Sequence, residues 1–308
     1  MSEEVIETQN KAKGILLVLL SSLMFGSYGI WSRLMGGSFA VFYQGWTRGL
    51  IIAFLLLPIL LLRKEFIKIK RKDWGWLTVF LIFTSATQAP IYYAFNHMDI
   101  GTATLLFFVS MLLTMYVVGF SFLGERISWV KVTSFVIAIV GLIITFSFSI
   151  ELFSVLALSA AIASGVASGG EVSFSKKLTG NYSALYVVWL SWVIIFISNG
   201  IISLMLGEPQ LVPTFNIGWF YQLCYIIASL LGFWAVIAGL KYIESSIGGL
   251  IGLLEVIFSI GLGIAIFSEG LTTRVILGGI LIIIASALPH FIALVRKRFS
   301  ISNKFQHH

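Results

Sequence analysis

Apolar residues are gathered along the chain into ten long runs, and short polar breaks separate them. A helix needs about 20 consecutive apolar residues to cross a hydrocarbon core of about 30 Å. Each run is close to this length, and no polar break is long enough to hold a soluble domain. The pattern therefore predicts an all-α integral membrane protein. Its ten predicted transmembrane helices are residues 14–34, 40–62, 74–97, 101–123, 129–148, 153–175, 182–206, 218–241, 245–267 and 273–295.

The composition supports a membrane location. Hydrophobic residues make up 58% of the 308 residues and charged residues only 11%, whereas about 25% are charged in soluble domains. Most of the positive charge, a formal net +7, falls in breaks on one side of the predicted bundle, which is the positive-inside pattern. We therefore expect a multi-pass protein of the inner (plasma) membrane with both termini in the cytoplasm. The basic charge is assigned to orientation and to anionic lipid headgroups, and no nucleic acid partner is expected.

Two segments of the chain share one pattern. Residues 103–144 and 247–288 each contain an apolar helix, a short loop around one glutamate and a second apolar helix. The glutamates, Glu125 and Glu269, lie 144 residues apart. Because each half then holds five helices, an odd number, the second half must start from the opposite side of the membrane. Many carriers are built from such inverted repeats. The predicted segments are a cytoplasmic N-terminal segment 1–13, a first repeat 14–148, a second repeat 153–295 and a basic cytoplasmic tail 296–308.

Several motifs resemble one family of membrane carriers. They are residues 93–95 with 123–128, residues 239–243 with 268–272, and the arginine-containing run 48–53. These motifs are similar to the two EamA-type halves of the drug/metabolite transporter superfamily, and the similarity covers almost the whole chain. The resemblance implies a ten-helix carrier with two inverted five-helix repeats that exports small polar or amphipathic solutes, such as amino acids, metabolites or drugs.

The chain departs from this family at three positions. Family members often carry proline in helices 4 and 9, where this chain has Leu112 and Val256. Ser268 takes the place of the glycine before the second loop. Because proline kinks a helix, these differences affect the expected kinks and leave the expected fold unchanged.

Two ionisable side chains fall deep inside predicted helices, where a charge is costly unless it is paired or hydrated. Arg48 could bind a carboxylate or phosphate of the solute through its fork of N–H groups, or it could be a structural residue that tethers helix ends. Glu255 could bind a cationic group or carry a coupling proton, or it could be a packing residue. A third possibility is that the two neutralise each other. At the repeat offset Glu255 lies opposite Met111, so the halves differ there.

Predicted helix 3 carries a line of polar residues at a spacing of four. This spacing keeps them on one side of the helix, and amide groups that faced lipid would lack hydrogen-bond partners. We expect the line to face a cavity, with hydrogen bonds between helices as the alternative. Pro90 cannot donate to the carbonyl of Ala86, which predicts a hinge or an additional ligand there. The line consists of Thr84, Gln88, Tyr92 and Asn96.

Two further residues are weighed against packing roles. Trp234 lies well inside predicted helix 8, where it could stack on a solute, act as a gate or simply pack against neighbouring helices. Glu171 lies nearer the end of predicted helix 6, where we expect it at the interface or paired with nearby Lys176 or Lys177.

No pattern of a soluble enzyme is present in the sequence. The chain lacks the glycine-rich loop of ATP-hydrolysing proteins, its four histidines form no cluster with cysteine or carboxylates, and one cysteine cannot form an internal disulfide. We therefore expect no enzyme activity, no metal and no cofactor. The expected partners are a small-molecule solute and membrane lipids.

The predicted function is that of a secondary transporter that works by alternating access without ATP. A zwitterionic amino acid or a similar metabolite is the preferred solute, with proton coupling through Glu255 left open. Efflux of a lipophilic cation by the same fold is one alternative, and a non-transporting membrane receptor or scaffold is another. The predicted substrate-binding residues are Arg48, Gln88, Tyr92, Asn96, Trp234 and Glu255.

Overall fold

The computed structural model describes residues 3–35, 39–98, 100–146, 155–268 and 270–305. Within these ranges the chain forms α-helices, one 3₁₀ turn at Arg71–Asp73 and no β-strand. The helices are α1 (Glu3–Gly26), α2 (Tyr28–Met35), α3 (Val41–Leu62), α4 (Trp74–Ser85), α5 (Ala89–His97), α6 (Ile100–Leu123), α7 (Trp129–Thr145), α8 (Val155–Thr179), α9 (Ala184–Met205), α10 (Ile217–Gly239), α11 (Ser245–Gly252), α12 (Leu254–Phe267) and α13 (Thr273–Phe305).

Eight helical segments are long and apolar enough to cross a membrane. The shorter apolar helix α7 and the consecutive pair α4 and α5 complete the ten predicted crossings. The prediction of an all-α membrane protein with ten transmembrane helices is therefore confirmed. The eight segments are Gln9–Met35, Val41–Leu62, Thr102–Leu123, Val155–Thr179, Ala184–Met205, Ile217–Gly239, Ser245–Phe267 and Thr273–Ala293.

The two halves of the bundle contact each other reciprocally. The second crossing of each half packs on the second crossing of the other (α3 on α9), and the fifth crossings pair in the same way (α7 on α13). The first crossing of one half packs on the fourth of the other, as α1 on α12 and α6 on α8. This reciprocity is what two related halves with opposite orientations produce, because a pseudo-twofold axis exchanges each contact with its equivalent.

Glycines let the halves approach backbone to backbone. A Cβ atom added at Gly49 of α3 would lie 2.7 Å from the backbone nitrogen of Phe196 on α9. A Cβ atom at Gly169 of α8 would lie 2.5 Å from the carbonyl oxygen of Met111 on α6. Small residues at such crossings allow van der Waals packing to hold helices together in lipid, where the hydrophobic effect contributes little.

Three crossings are interrupted within the bundle. The first is broken at Ser27, the third at residues 86–88 and the ninth at Leu253. The third crossing was predicted as one helix over 74–97, and it is divided because Pro90 in the first turn of α5 has no N–H for the carbonyl four residues earlier. The ninth crossing is broken although it has Val256 where the family often has proline. The fourth crossing has Leu112 at its corresponding position, and there α6 is continuous.

An acidic side chain ties the halves together at each end of the bundle. We call the end that holds residues 63–73, 124–128, 180–183 and 240–244 the basic end, and the other the opposite end. At the basic end Glu125 of the first half accepts hydrogen bonds from the first turn of α11. At the opposite end Glu208 of the second half accepts from the backbone N–H groups of Phe42 and Tyr43 at the start of α3, at 3.2 and 2.7 Å. Glu269, the repeat partner of Glu125, lies outside the described residues.

Candidate functional site

Arg48 lies in the interior of α3 with 2% of its surface exposed. Within the described parts of the chain it forms no ion pair, and its Nε and Nη1 atoms have no hydrogen-bond partner. A charge without a counter-ion inside a membrane bundle is costly. The structure therefore contains a buried cation with no anion beside it among the described residues.

Two tyrosines form an aromatic wall around the guanidinium group. Its central carbon lies 3.7 Å from the ring centroid of Tyr225 on α10 and 5.7 Å from that of Tyr28 at the start of α2. The two rings meet edge to face at 4.8 Å. Such cation–π contacts contribute about 0.5–2 kcal/mol each, which offsets only part of the cost of burying the charge. The wall positions Arg48 without neutralising it.

A buried hydrogen-bond frame supports Arg48 from the side of α10. Gln222 donates from Nε2 to Oγ1 of Thr47 at 2.7 Å and to the carbonyl oxygen of Gln44 at 3.2 Å. The Gln44 side chain donates in turn to the carbonyl oxygen of Phe39 at 2.7 Å. The frame fixes α3 against α10 around the arginine, and its Gln222 Oε1 has no partner in the described residues.

Sequence reasoning did not single out this frame or the Tyr225 contact. The signal was present as polar residues at helical spacing on two crossings. On each helix the polar residues are spaced three or four residues apart, which places them on one face. They are positions 44, 47 and 48 on one helix and positions 222, 225 and 229 on the other. What could not be read from the sequence is that these two faces meet.

Gln88 and Asn199 face α3 one turn before Arg48. A Cβ atom added at Gly45 would lie 2.7 Å from Oε1 of Gln88 and 3.0 Å from Cγ of Asn199. Neither Oε1 of Gln88 nor Oδ1 of Asn199 has a hydrogen-bond partner among the described residues. The missing side chain at Gly45 therefore makes the space in which these two amide groups converge.

The predicted polar line of helix 3 is brought partly to this region. Gln88 lies at the interruption between α4 and α5, and Tyr92 one turn later packs edge to face on Phe42 of α3 at 5.7 Å. The Tyr92 hydroxyl is within electrostatic range of Arg48. Arg48, Gln88 and Tyr92 thus share one region between α3, α5 and α10. The side chain of Asn96 lies outside the described residues.

Glu255 lies in the first turn of α12, directly after the interruption at Leu253. Its side chain is partly exposed and forms no ion pair with Arg48. Tyr28 interacts electrostatically with both groups. Direct pairing of Arg48 with Glu255, the third possibility raised by the sequence, is therefore not observed among the described residues.

Trp234 belongs to a different surface of α10. It follows Tyr225 by nine residues, which places it about half a turn away around the helix. Its side chain is partly buried against the main hydrophobic cluster, which includes Phe233 and Ile237. The structure does not bring Trp234 together with Arg48, Gln88 and Tyr92.

Comparison with known proteins indicates the family to which the chain belongs. The family model described as "EamA-like transporter family" matches residues 12–147 and 155–289. The chain belongs to the EamA-like transporter family. No curated protein is significantly similar in sequence. A solved structure described as "Crystal structure of protein" superposes with a TM-score of 0.75 at 16% identity, covering 89% of this chain and 97% of that chain, which supports the fold alone.

As a member of the EamA-like transporter family, the protein is a multi-pass membrane transporter of small molecules. The two matches correspond to its two halves, so the resemblance inferred from the motifs is confirmed. The described residues contain no group of three or more His, Cys, Asp and Glu side chains that could hold a metal ion.

Proposed function

We propose that this protein is a secondary transporter that exports a small zwitterionic metabolite, such as an amino acid, by alternating access. The observation that carries the proposal is the buried Arg48, which among the described residues has no counter-ion and has two nitrogens without partners. A solute carboxylate would supply the counter-ion and the hydrogen-bond acceptors together, because an arginine fork can form two parallel charge-assisted hydrogen bonds with a carboxylate.

The surroundings of Arg48 suit the rest of such a solute. Gln88 offers an amide oxygen without a partner, and Tyr92 borders the same region. Glu255, in the first turn of α12, also interacts with Tyr28 and offers a carboxyl group to an ammonium group of the solute. An arginine and a carboxyl group that do not pair with each other suit the two ends of a zwitterion. A lipophilic cation fits less well, because the Tyr28–Tyr225 wall is already occupied by the Arg48 cation.

The interruptions of the helices support movement around this region. Ser27 and Leu253 lie where α1 and α12 cross, since a Cβ atom at Gly26 would be 2.8 Å from the carbonyl oxygen of Glu255. Gln88 lies in the interruption of the third crossing, between α4 and α5. Transporters with inverted repeats bind solutes at broken helices and rock one repeat against the other. Under the positive-inside rule we assign the basic end and both termini to the cytoplasm of a cell with this protein in its inner membrane.

Transport by purified protein in liposomes tests this proposal. We expect uptake of labelled zwitterionic amino acids by the wild type and little uptake of their decarboxylated amines. Arg48→Ala should lower transport of the amino acids by about 30-fold or more, since loss of one partner of a buried charge pair costs about 2–5 kcal/mol. Arg63→Ala, an exposed arginine at the basic end, is the matched control and should transport normally.

Three results would contradict the proposal. Equal transport by Arg48→Ala and wild type would show that the arginine does not bind the solute. Preference for a lipophilic cation such as tetraphenylphosphonium would favour drug efflux. No transport of amino acids, metabolites or cations by folded protein would favour a receptor or scaffold.

A further inference from the structure

Glu171 is a buried carboxyl group that the proposed solute site does not use. It lies in α8 with 5% of its surface exposed. Thr84 of α4 and Ser191 of α9 lie beside its carboxyl group. Within the described residues neither Oε1 of Glu171 nor Oγ of Ser191 has a hydrogen-bond partner. The hydroxyl of Thr84 donates to the carbonyl oxygen of Phe80 at 2.9 Å, so its single hydrogen is engaged there.

The lysines expected to pair with Glu171 are engaged elsewhere, so that expectation is wrong. Lys176 lies 3.3 Å from Oε1 of Glu125 and donates to the carbonyl oxygen of Ile243 at 2.7 Å. Lys177 lies over the ring of Trp76, 5.4 Å from its centroid. The pairing fails because both lysines are a turn or more closer to the basic end, where carbonyl and carboxylate oxygens are available.

The helices packed against α8 bring no permanent cation to Glu171. The helices α4 and α11 contain no titratable side chain, and the others contain only tyrosines, one cysteine and one histidine. The histidine, His97, is exposed at the end of α5, where it stacks on Tyr93 at 4.0 Å. The titratable groups on these helices are Tyr92, Tyr93 and His97 of α5, Tyr116 of α6, Tyr186 of α9, and Tyr221, Cys224 and Tyr225 of α10.

We propose that Glu171 is a proton-binding site of this transporter. Its carboxylate oxygen takes a proton from water, which forms an O–H bond and removes the negative charge, and it returns the proton to water when the site is rehydrated. A carboxylate without a cation or sufficient donors is strongly disfavoured in an apolar interior. The protonated group is neutral and gains a donor, and Oγ of Ser191, which has no partner elsewhere among the described residues, can accept from it. A metal cation is disfavoured, because hard cations take about six oxygen ligands and three side chains supply oxygens here.

The position of Glu171 connects a proton to the solute site. Thr84 lies in the last turn of α4, directly before the interruption that holds Gln88. Ser164, two turns before Glu171 on α8, donates to the carbonyl oxygen of Thr87 in that interruption. Protonation at Glu171 therefore acts on the same segment from which Gln88 and Tyr92 approach Arg48. This coupling rests on the proposed function, whereas proton binding at Glu171 does not.

Infrared spectroscopy of the protein in lipid nanodiscs tests proton binding without any solute. We expect a carboxylic C=O stretching band from the wild type at neutral pH that is absent from Glu171→Gln, a neutral variant of the same shape. The band should shift in Ser191→Ala, which removes the acceptor and keeps Glu171. Glu255→Gln is the matched control, and it should leave the Glu171 band unchanged. An identical carboxylic band in wild type and Glu171→Gln, or no such band in the wild type at neutral pH, would overturn the assignment.

Transport driven by a pH gradient tests the coupling. We expect the wild type to accumulate a zwitterionic amino acid across a gradient, and Glu171→Gln to equilibrate it without accumulation. Gradient-driven accumulation by Glu171→Gln equal to that of the wild type would overturn the coupling. If the wild type transports no amino acid, the proposed function fails, and the infrared band at Glu171 still decides whether the proton site exists.

Discussion

Glu125 and Arg48 are both nearly inaccessible to solvent, with 8% and 2% of their surfaces exposed, yet their surroundings differ completely. Glu125 accepts hydrogen bonds from the backbone N–H groups of Ser245 and Ser246 and, at 2.8 Å, from Oγ of Ser246, and Lys176 lies 3.3 Å away. Arg48 has aromatic rings around it, and no residue in the described part of the chain brings it an anion. Burial of a charge therefore does not by itself indicate its role. A charge with all its partners in place is a structural connection, whereas a charge without them is available to a ligand.

The Glu125 cluster also has a mechanical consequence. Its carboxylate belongs to the first half, and the N–H groups that it accepts from belong to the first turn of α11 in the second half. An acidic group at a helix N-terminus is favoured by the helix dipole. The cluster thus holds the two halves together at the basic end, and opening of that end requires its separation.

The largest expected effect is on folding stability, from Glu125→Ala. The substitution leaves Lys176 and the start of α11 without their partner, and loss of one member of a buried ion pair costs about 3–5 kcal/mol. Thermal unfolding of the solubilised protein should show the loss. Glu244→Ala is the control at the same end, because its carboxyl group is 39% exposed and its partner is Lys131. Lys131 keeps a hydrogen bond to the carbonyl oxygen of Arg126 at 2.7 Å, so we expect a smaller loss than in Glu125→Ala. Equal losses of stability in Glu125→Ala and Glu244→Ala would show that Glu125 is no more important to the fold than an exposed glutamate.

Arg48→Met should raise the folding stability in the absence of solute, in contrast to Glu125→Ala. Replacing a buried ion pair by apolar residues of similar volume is often neutral or stabilises proteins by about 1–4 kcal/mol. Arg48 has no ion pair to lose among the described residues, so we expect its replacement to stabilise the protein as well. The same thermal measurement should therefore give a higher midpoint than the wild type, and addition of a transported solute should no longer raise it. Destabilisation comparable to that of Glu125→Ala would mean that Arg48 is also a structural connection.

Gly45→Ala tests the convergence of amide groups beside Arg48. The added methyl group meets Gln88 and Asn199 within about 3 Å, and overpacking of this kind costs about 1–3 kcal/mol. We expect a raised KM for the solute together with a modest loss of stability. Gly75→Ala is the control, because a Cβ atom there meets nothing within 4 Å. An unchanged KM in Gly45→Ala would show that Gln88 does not contribute to solute binding.

Trp234→Phe should have the smallest effect on transport. The residue lies on the side of α10 away from Tyr225, so the solute region keeps its shape. We expect KM to change by no more than about twofold, equivalent to about 0.5 kcal/mol for a substitution away from a site. A loss of transport similar to that of Gly45→Ala would show that Trp234 acts on the solute after all, as a stacking residue or gate.

Much of the candidate site was predictable because depth in a helix follows directly from position in an apolar run. Arg48 and Gln88 were recognised in this way: Arg48 is buried within α3, and the side chain of Gln88 approaches α3 at Gly45. The interruption at Pro90 followed from the missing N–H of proline. The break at Leu253 has no such local signal, since no proline is near it. The expected pairing of Glu171 with lysine failed because sequence proximity does not show that Glu125 approaches Lys176 from 51 residues away.

The sequence by itself determined the ten crossings, the duplication and the residues that must be accounted for inside the membrane. These are properties of consecutive residues, because hydrophobic length and the presence of a charge within it do not depend on what lies opposite. Only the tertiary structure decided which charges are paired. Ser246 approaches Glu125 across 121 residues and Gln222 approaches Thr47 across 175, whereas nothing in the described chain approaches Arg48 with a negative charge. Pairing depends on which helix faces meet, and that is settled by the packing of the two halves.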